Sequence, residues 1–318
     1  MKRILANDGI SQAGVNALQN AGFEILTQHV EQDQLIDYIN ENQIVGLLVR
    51  SATKVRKDLI DACPNLKLIG RGGVGMDNID VDYARSIGRV VVNTPAASSH
   101  SVAELVFAHM LSMSRGLYDS NRQMPLEGET NFKGLKKSYS KGTELKGKTL
   151  GIIGFGRIGQ ATAKIAFGLG MDVVLTNKHD VPEHIELELA QNQKVKFGIK
   201  NSTLEEVLMQ SDFLTIHVPF QGKALISKEQ FELMKSNVCI VNAARGGVID
   251  EVELLKALDE GLIAHAALDV FDNEPQPDMR VLMHPKLSLT PHIGGQTTEA
   301  QSRIGTELAE KIIEHFSA

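Results

Sequence analysis

The sequence is short of cysteine, of long apolar runs and of positive charge, and each shortage removes a class of protein. Its only cysteines, Cys63 and Cys239, are far apart in the chain and form neither a disulfide framework nor a zinc motif, so both read as reduced, structural thiols. His217, His265, His284 and His292 show no compact ligand spacing, and no metal is expected. The opening "MKRILANDG" has two basic residues but only Ile4, Leu5 and Ala6 before polar residues resume, which makes no signal peptide, and no apolar run approaches the length of a membrane span. A cytoplasmic protein is expected. The formal charge of -6 argues against general binding to nucleic acid or to an anionic membrane. Small anionic substrates stay open, because a local basic pocket does not show in a total. Internal repeats, heptads and low-complexity tracts are also missing.

What is present is the composition of a soluble globular protein, 42% hydrophobic and 23% charged, in 318 residues that suffice for two domains with proper cores. Short β-rich runs alternate with amphipathic stretches from the start: "KRILAN", "SQAGVNALQNAG", "FEILTQ", "DQLIDYINEN", "IVGLLVRS", "RKDLIDACPNL", "KLIGRGGVG", "DVDYARSIG", "RVVVNTP". A second series begins at "KTLGIIG" and runs through "MDVVLTN", "KVKFG", "DFLTIHVP", "NVCIVNAAR", "IAHAALDVF" and "LSLTPH". This alternation predicts an α/β chain with two parallel-sheet units. Between them, residues 98 to 117 read as one long helix with Val102, Leu105, Val106, His109, Met110 and Met113 on a broad apolar face, fit to bridge domains or subunits. Residues 118 to 146 are polar and long for a loop, either a disordered insertion or an ordered arm toward another subunit.

Gly154, Gly156 and Gly159 follow an apolar strand and open a helix, with a second apolar strand at 171 to 176. That spacing is the dinucleotide-binding pattern: one glycine for a tight turn, one to admit a pyrophosphate beside the backbone, one for close packing of helix on strand. One element departs from it. An acidic residue is expected about twenty positions on to hold the adenosine ribose, and the strand ends instead in Asn177, Lys178, His179, Asp180.

Three other strands of the second series end in polar residues that invite chemistry: Arg245 after "CIVNAA", Glu274 after "ALDVFDN", and His292 in "TPHIGG". Singly, each is also a plausible turn or loop residue. Residues just beyond the carboxyl ends of parallel strands gather on one edge, where open α/β sheets bind ligands. Together the three suit hydride transfer between a nicotinamide and a hydroxy or keto acid. An arginine holds the carboxylate and polarises the carbonyl, a histidine moves the hydroxyl proton, and a carboxylate orients the imidazole.

These segments, with "NAARGGVIDEVELLKAL" and "AALDVFDNEP", resemble the D-isomer-specific 2-hydroxyacid dehydrogenases over essentially the whole chain. The resemblance implies Arg245 as substrate anchor, Glu274 as partner carboxylate and His292 as general acid/base. It implies two doubly wound domains, with a Rossmann cofactor domain at 98 to 291 inserted into a flavodoxin-like substrate domain made of 1 to 97 and 292 to 318. It also implies NAD as cofactor, held by Val74, Gly154, Gly156, Arg157, Ile158, Gly159, Asn177, His217, Val218, Pro219, Ala243, Asp269, Gly294 and Gly295. A homodimer through the helix from Ser98 and the 118 to 146 arm is expected.

Within the family, "RSATKV", "LIGRGGVGMDNID" and "VVNTPAASSHSVAELVFAHML" look closest to the D-3-phosphoglycerate dehydrogenases, enzymes of serine biosynthesis, and a short form without a C-terminal regulatory domain is expected. A phosphorylated substrate needs cations beyond Arg245. Arg50, Lys54 and Arg71 are candidates, and the amides of Val74 and Gly75 can meet a carboxylate as a backbone nest does. For Arg50 and Lys54 a solvated strand end is an equal alternative. Two other functions fit: a glyoxylate or hydroxypyruvate reductase, and an NAD(H)-sensing corepressor that recruits peptide partners. Asn177 keeps an acceptor for the ribose but lacks the charge that repels an NADP phosphate, while Lys178 either attracts that phosphate or points to solvent. Binding of NAD with relaxed discrimination follows.

Overall fold

The computed structural model describes residues 1 to 188, 191 and 193 to 317, in two compact units, Met1–Ser101 with Gly295–Ala318, and Val102–Gly294. The expected boundaries at 97 and 291 fall just short of these.

The first unit alternates β1 (Lys2–Ala6), α1 (Gln12–Asn20), β2 (Phe23–Leu26), α2 (Leu35–Glu41), β3 (Ile44–Val49), α3 (Lys57–Ala62), β4 (Leu68–Arg71), α4 (Val81–Ser86) and β5 (Val90–Asn93). All strand pairs are parallel, in the order β2-β1-β3-β4-β5, the flavodoxin-like arrangement. Its strands carry apolar residues toward both faces because helices cover both: Leu5, Leu47, Val49 and Ile69 pack with α2 and α3, while Ile4, Leu48 and Leu68 face the other way.

In the second unit α5 (Ser99–Arg115), α6 (Leu117–Glu127) and α7 (Phe132–Ser138) precede β6 (Thr149–Ile153), α8 (Arg157–Gly168) and β7 (Asp172–Thr176). The single helix expected over 98 to 117 stops at Arg115, because Gly116 takes a left-handed conformation (φ 59°) and the chain turns into α6. The arm at 118 to 146 is neither a disordered insertion nor an irregular loop but carries these two helices. From Val102 onward the apolar face of α5 is covered by its own unit, with Val106, Phe107 and Met110 packed on Leu150, Ile152 and Val241.

After β7 come β8 (His184–Glu188), β9 (Lys194–Gly198), α9 (Leu204–Gln210), β10 (Phe213–Ile216), α10 (Lys228–Glu232), β11 (Cys239–Asn242), α11 (Glu251–Asp259), β12 (His265–Leu268), α12 (Met279–Leu282) and β13 (Leu287–Leu289). Six strands form one parallel sheet in the order β13-β12-β11-β10-β6-β7. "KVKFG" is not a strand of that sheet, as its place in the series suggested. It is β9, paired antiparallel with β8 in a separate two-stranded ribbon, and among the described residues only the bridge Leu175–Asn201 continues the sheet beyond β7. The reason lies in its alternation: Phe197 and Ile185 turn inward, with Phe197 stacked on Phe167 of α8 at 4.3 Å, while lysines and glutamates line the other side.

The last helix, α13 (Thr298–Ser317), returns to the first unit. Ala300, Ile304, Leu308 and Ile312 recur at helical spacing, and Leu308 and Ile312 join Ile4, Ala6 and Leu68 in one core. Among the described residues no helix is long and apolar enough to cross a membrane.

Candidate active site

The carboxyl ends of β11, β12 and β13 lie side by side, and each delivers one of the three polar residues. Beyond β11, Asn242 folds the loop by accepting from the Ala244 amide (3.1 Å) and donating to the Arg245 carbonyl (2.9 Å). Arg245 is half-buried. The next residue must be glycine, since a Cβ on Gly246 would lie 1.9 Å from the Phe271 carbonyl oxygen beyond β12. Glu274 is aimed by two bonds. One carboxylate oxygen accepts the Phe271 amide at 3.0 Å and the other accepts from His292 Nδ1 at 2.8 Å. Burial raises the Glu274 pKa, but the His292 bond and charge, the Phe271 amide and the Arg245 charge outweigh it and hold the carboxyl below its usual range. It is therefore an anion at neutral pH, and with Nδ1 committed to it, Nε2 is the ring nitrogen left to exchange a proton with a ligand.

His292 sits in a left-handed turn (φ 55°), a costly conformation for a residue with a Cβ. Asp269, almost wholly buried at 1% exposure, supports that turn. It accepts from the Thr290 hydroxyl (2.6 Å) and from the amides of Ile293 (2.8 Å) and Gly294 (2.8 Å). The carboxylate thus anchors the chain on both sides of His292. The family resemblance implies cofactor contact alone for Asp269 and Gly294, and the sequence gives Thr290 no role. Nothing in the spacing of 269 and 290 announces that they meet.

The glycine loop lies at the end of β6. Gly154 has φ 94°, and a Cβ there would come within 2.7 Å of the His217 carbonyl oxygen, so only glycine serves. A Cβ on Gly159 would run into the Gly154 carbonyl oxygen at 2.3 Å, which is how α8 packs so close to its strand. His217, Val218 and Pro219 follow β10, and Ala243 follows β11. Burial pushes the His217 imidazole down to about 3, so the ring is neutral. Its Nε2 lies 3.2 Å from the hydroxyls of both Thr162 and Thr215.

Residues 107–294 match the family model described as D-isomer specific 2-hydroxyacid dehydrogenase, NAD binding domain. The chain belongs to this family. It is 41% identical over 314 residues to a D-3-phosphoglycerate dehydrogenase of Methanocaldococcus jannaschii, an alignment covering 98% of this chain and 57% of that one. The chain thus spans little more than half the length of that relative. It is 40% identical over 320 residues to a hydroxypyruvate reductase of Thermotoga maritima, covering 99% of this chain and 98% of that one. Among solved structures, a glyoxylate reductase from Paecilomyes thermophila superposes with a TM-score of 0.83 at 29% identity, covering 98% of this chain and 94% of that one.

The glycine loop fits the dinucleotide that this dehydrogenase family binds. Gly156 caps α8 with no side-chain hydrogen bond, so the first amides of the helix keep their donor capacity, and a Cβ on Gly156 would meet nothing within 4 Å. Open space over a helix N-terminus suits a pyrophosphate, with Arg157 exposed and Ile158 half-exposed beside it. Asn177 is not a free acceptor. Its carbonyl oxygen takes the Phe155 amide at 3.0 Å and its amide donates to the His179 carbonyl at 2.9 Å, while Asn201 holds its backbone. Lys178 is exposed.

The first unit holds the remaining predicted residues. Asp8 gathers the segment after β3, accepting from the amides of Arg50 (2.6 Å) and Thr53 (3.1 Å) and from the Thr53 hydroxyl (2.6 Å). The Arg50 guanidinium is half-buried and donates to the Gln296 side-chain oxygen Oε1 at 2.7 Å. Burial lowers its pKa against the opposing pull of Asp8. Lys54 is exposed, and Arg71 lies over Gly73, where a Cβ would strike its Nη1. Among the described residues the Val74 and Gly75 amides make no hydrogen bond within the protein. Gly295 also belongs to this unit, its carbonyl accepting from Gln301 at 2.7 Å.

Proposed function

We propose that the protein is an NAD-dependent D-2-hydroxyacid dehydrogenase that oxidises 3-phospho-D-glycerate to 3-phosphohydroxypyruvate. The observation that carries the reaction class is the 2.8 Å bond from His292 Nδ1 to Glu274, beside Arg245, on the carboxyl edge of the sheet that bears the glycine loop. When bound, the nicotinamide accepts or supplies the hydride at the substrate carbon. Arg245 pairs with the substrate carboxylate and polarises the keto oxygen, and His292 Nε2 takes the hydroxyl proton during oxidation and returns it during reduction. Glu274 favours the ring that carries the extra charge. Within the first unit, Arg50, Lys54 and Arg71 carry the charge that a phosphate would need, and the Val74 and Gly75 amides are backbone donors of the kind that bind anions.

The full-length match to a hydroxypyruvate reductase supports a second reading, in which the substrate bears no phosphate. One assay separates the two: absorbance of NADH formed with 3-phospho-D-glycerate and with D-glycerate, for wild type and Arg50→Ala. The first reading expects the variant to lose roughly tenfold or more in kcat/KM on the phosphorylated acid and little on the other. Equal losses, or a wild type that prefers D-glycerate, would assign Arg50 a structural role and favour the reductase.

We also propose that the chain forms a homodimer through α6 and α7. No residue of α6 is buried, yet Leu117, Tyr118, Met124 and Leu126 lie on it with 44–75% exposure, next to Phe132 of α7 at 57%. A helix that buries nothing in its own chain gains its stability from a partner surface.

A further inference from the structure

We infer that His109 of α5 is a positioning residue for His292, acting through Thr290 and Asp269. His109 is buried at 4% exposure on a helix face otherwise occupied by Val102, Val106 and Met110. A buried imidazole costs stability unless both nitrogens are paired, and here both are: Nδ1 lies 2.8 Å from the Ser288 hydroxyl and Nε2 lies 3.0 Å from the Thr290 hydroxyl. Ser288 and Thr290 are two residues apart at the end of β13, so their side chains point the same way, and the ring spans them.

The direction of the bonds follows from counting protons. Thr290 has one hydroxyl proton and gives it to Asp269 at 2.6 Å. Its oxygen can therefore only accept from His109, which makes Nε2 the protonated nitrogen and Nδ1 the acceptor for Ser288. The result is a chain of donors, Ser288 to His109 to Thr290 to Asp269, that ends on the carboxylate holding the Ile293 and Gly294 amides around His292. Burial lowers the His109 pKa, which keeps the ring in the neutral form that this chain requires. Hydrogen bonds in such a row polarise one another, and losing the first donor leaves Thr290 free to rotate off Asp269. The turn at His292, already in a left-handed conformation, then has one tether fewer.

This inference rests on the dehydrogenase reading for its kinetic consequence, but not for its structural one. The test compares His109→Leu, His109→Gln, Thr290→Val and the double variant His109→Leu/Thr290→Val in the intact protein. Hydrogen exchange followed by mass spectrometry over Ser288 to Gly295 needs no turnover. It is expected to accelerate in His109→Leu and Thr290→Val, and to stay close to wild type in His109→Gln, whose amide still donates to Thr290. Turnover is expected to fall roughly 10- to 100-fold in kcat for the leucine and valine variants and to stay close to wild type in His109→Gln. The double variant should be no worse than Thr290→Val. Glutamine and leucine variants that behave alike, losses that multiply in the double variant, or unaltered exchange would each overturn the inference. Should His109→Leu fail to fold, exchange in Thr290→Val and His109→Gln still decides it. A wild-type protein inactive on every 2-hydroxy acid would instead refute the proposed reaction and leave the exchange result standing.

Discussion

The bond between Glu274 and His292 sets an expected loss of rate. In the proposed reaction the Glu274 carboxylate holds the ring through Nδ1 and leaves Nε2 to move the hydroxyl proton, so Glu274→Gln, which removes the anionic acceptor, should lower kcat roughly 10- to 100-fold. A kcat close to wild type would remove Glu274 from this role. Asn177 carries a second expectation. With its oxygen bound to the Phe155 amide, it offers an NADP phosphate no repulsion. Asn177→Asp should raise the NAD over NADP ratio of kcat/KM by roughly tenfold. It also places an oxygen where the amide met the His179 carbonyl, and should cost about 1 kcal/mol in a denaturant melt. If wild type already rejects NADP as strongly as the variant, discrimination lies elsewhere.

Single elements show where pattern reading works and where it stops. The parallel strands were legible because each is a short apolar run flanked by turn residues, as "CIVN" and "HAAL" are. β8 and β9 were not. Their charge alternation is that of any half-exposed strand, and their pairing with each other rather than with β7 depends on the aromatic contact of Phe197 with Phe167 across the fold. α5 was read correctly as apolar, but the same pattern serves a subunit interface or an internal core, and here the core takes Val106, Phe107 and Met110. The exposed apolar surface lies one helix later. Leu126, 75% exposed on α6, therefore makes the sharper test of the dimer. Wild type should scatter light as a dimer at micromolar concentration and Leu126→Glu as a monomer, since burying an unpaired carboxylate costs several kcal/mol, on the order of the binding energy of such a contact. A monomeric wild type would refute the dimer.

At the scale of the whole molecule, half-buried His217 ties stability to pH. Its ring resists protonation down to about 3 in the fold, whereas an unfolded imidazole titrates near 6.5. Between those values the unfolded chain binds a proton that the folded chain does not, so this contribution to stability is present above about 6.5 and is lost as the pH falls through that window toward 3. A fully shielded ring would give a slope of about 1.4 kcal/mol per pH unit, and one at the lip of a cofactor loop gives part of it. His217→Asn should flatten the dependence of the unfolding free energy on pH between 6 and 4, measured by denaturant melts. A slope identical to wild type would mean that other groups carry the acid sensitivity.

Much of this protein follows from its sequence by itself. Two parallel sheets follow from the alternation of apolar runs and amphipathic helices, and the meeting of Arg245, Glu274 and His292 follows from parallel topology, which brings the carboxyl ends of strands to one edge. The glycine positions follow from backbone sterics, which admit no other residue at Gly154. The tertiary structure alone decided what depends on side chains from distant parts of the chain. Asp269 reaches across to Thr290, Ile293 and Gly294, and His109 to Ser288, 179 residues away. Such contacts carry no period and no fixed spacing. They arise from which faces the folded helices and strands turn toward one another, a property of the packed chain rather than of any one segment.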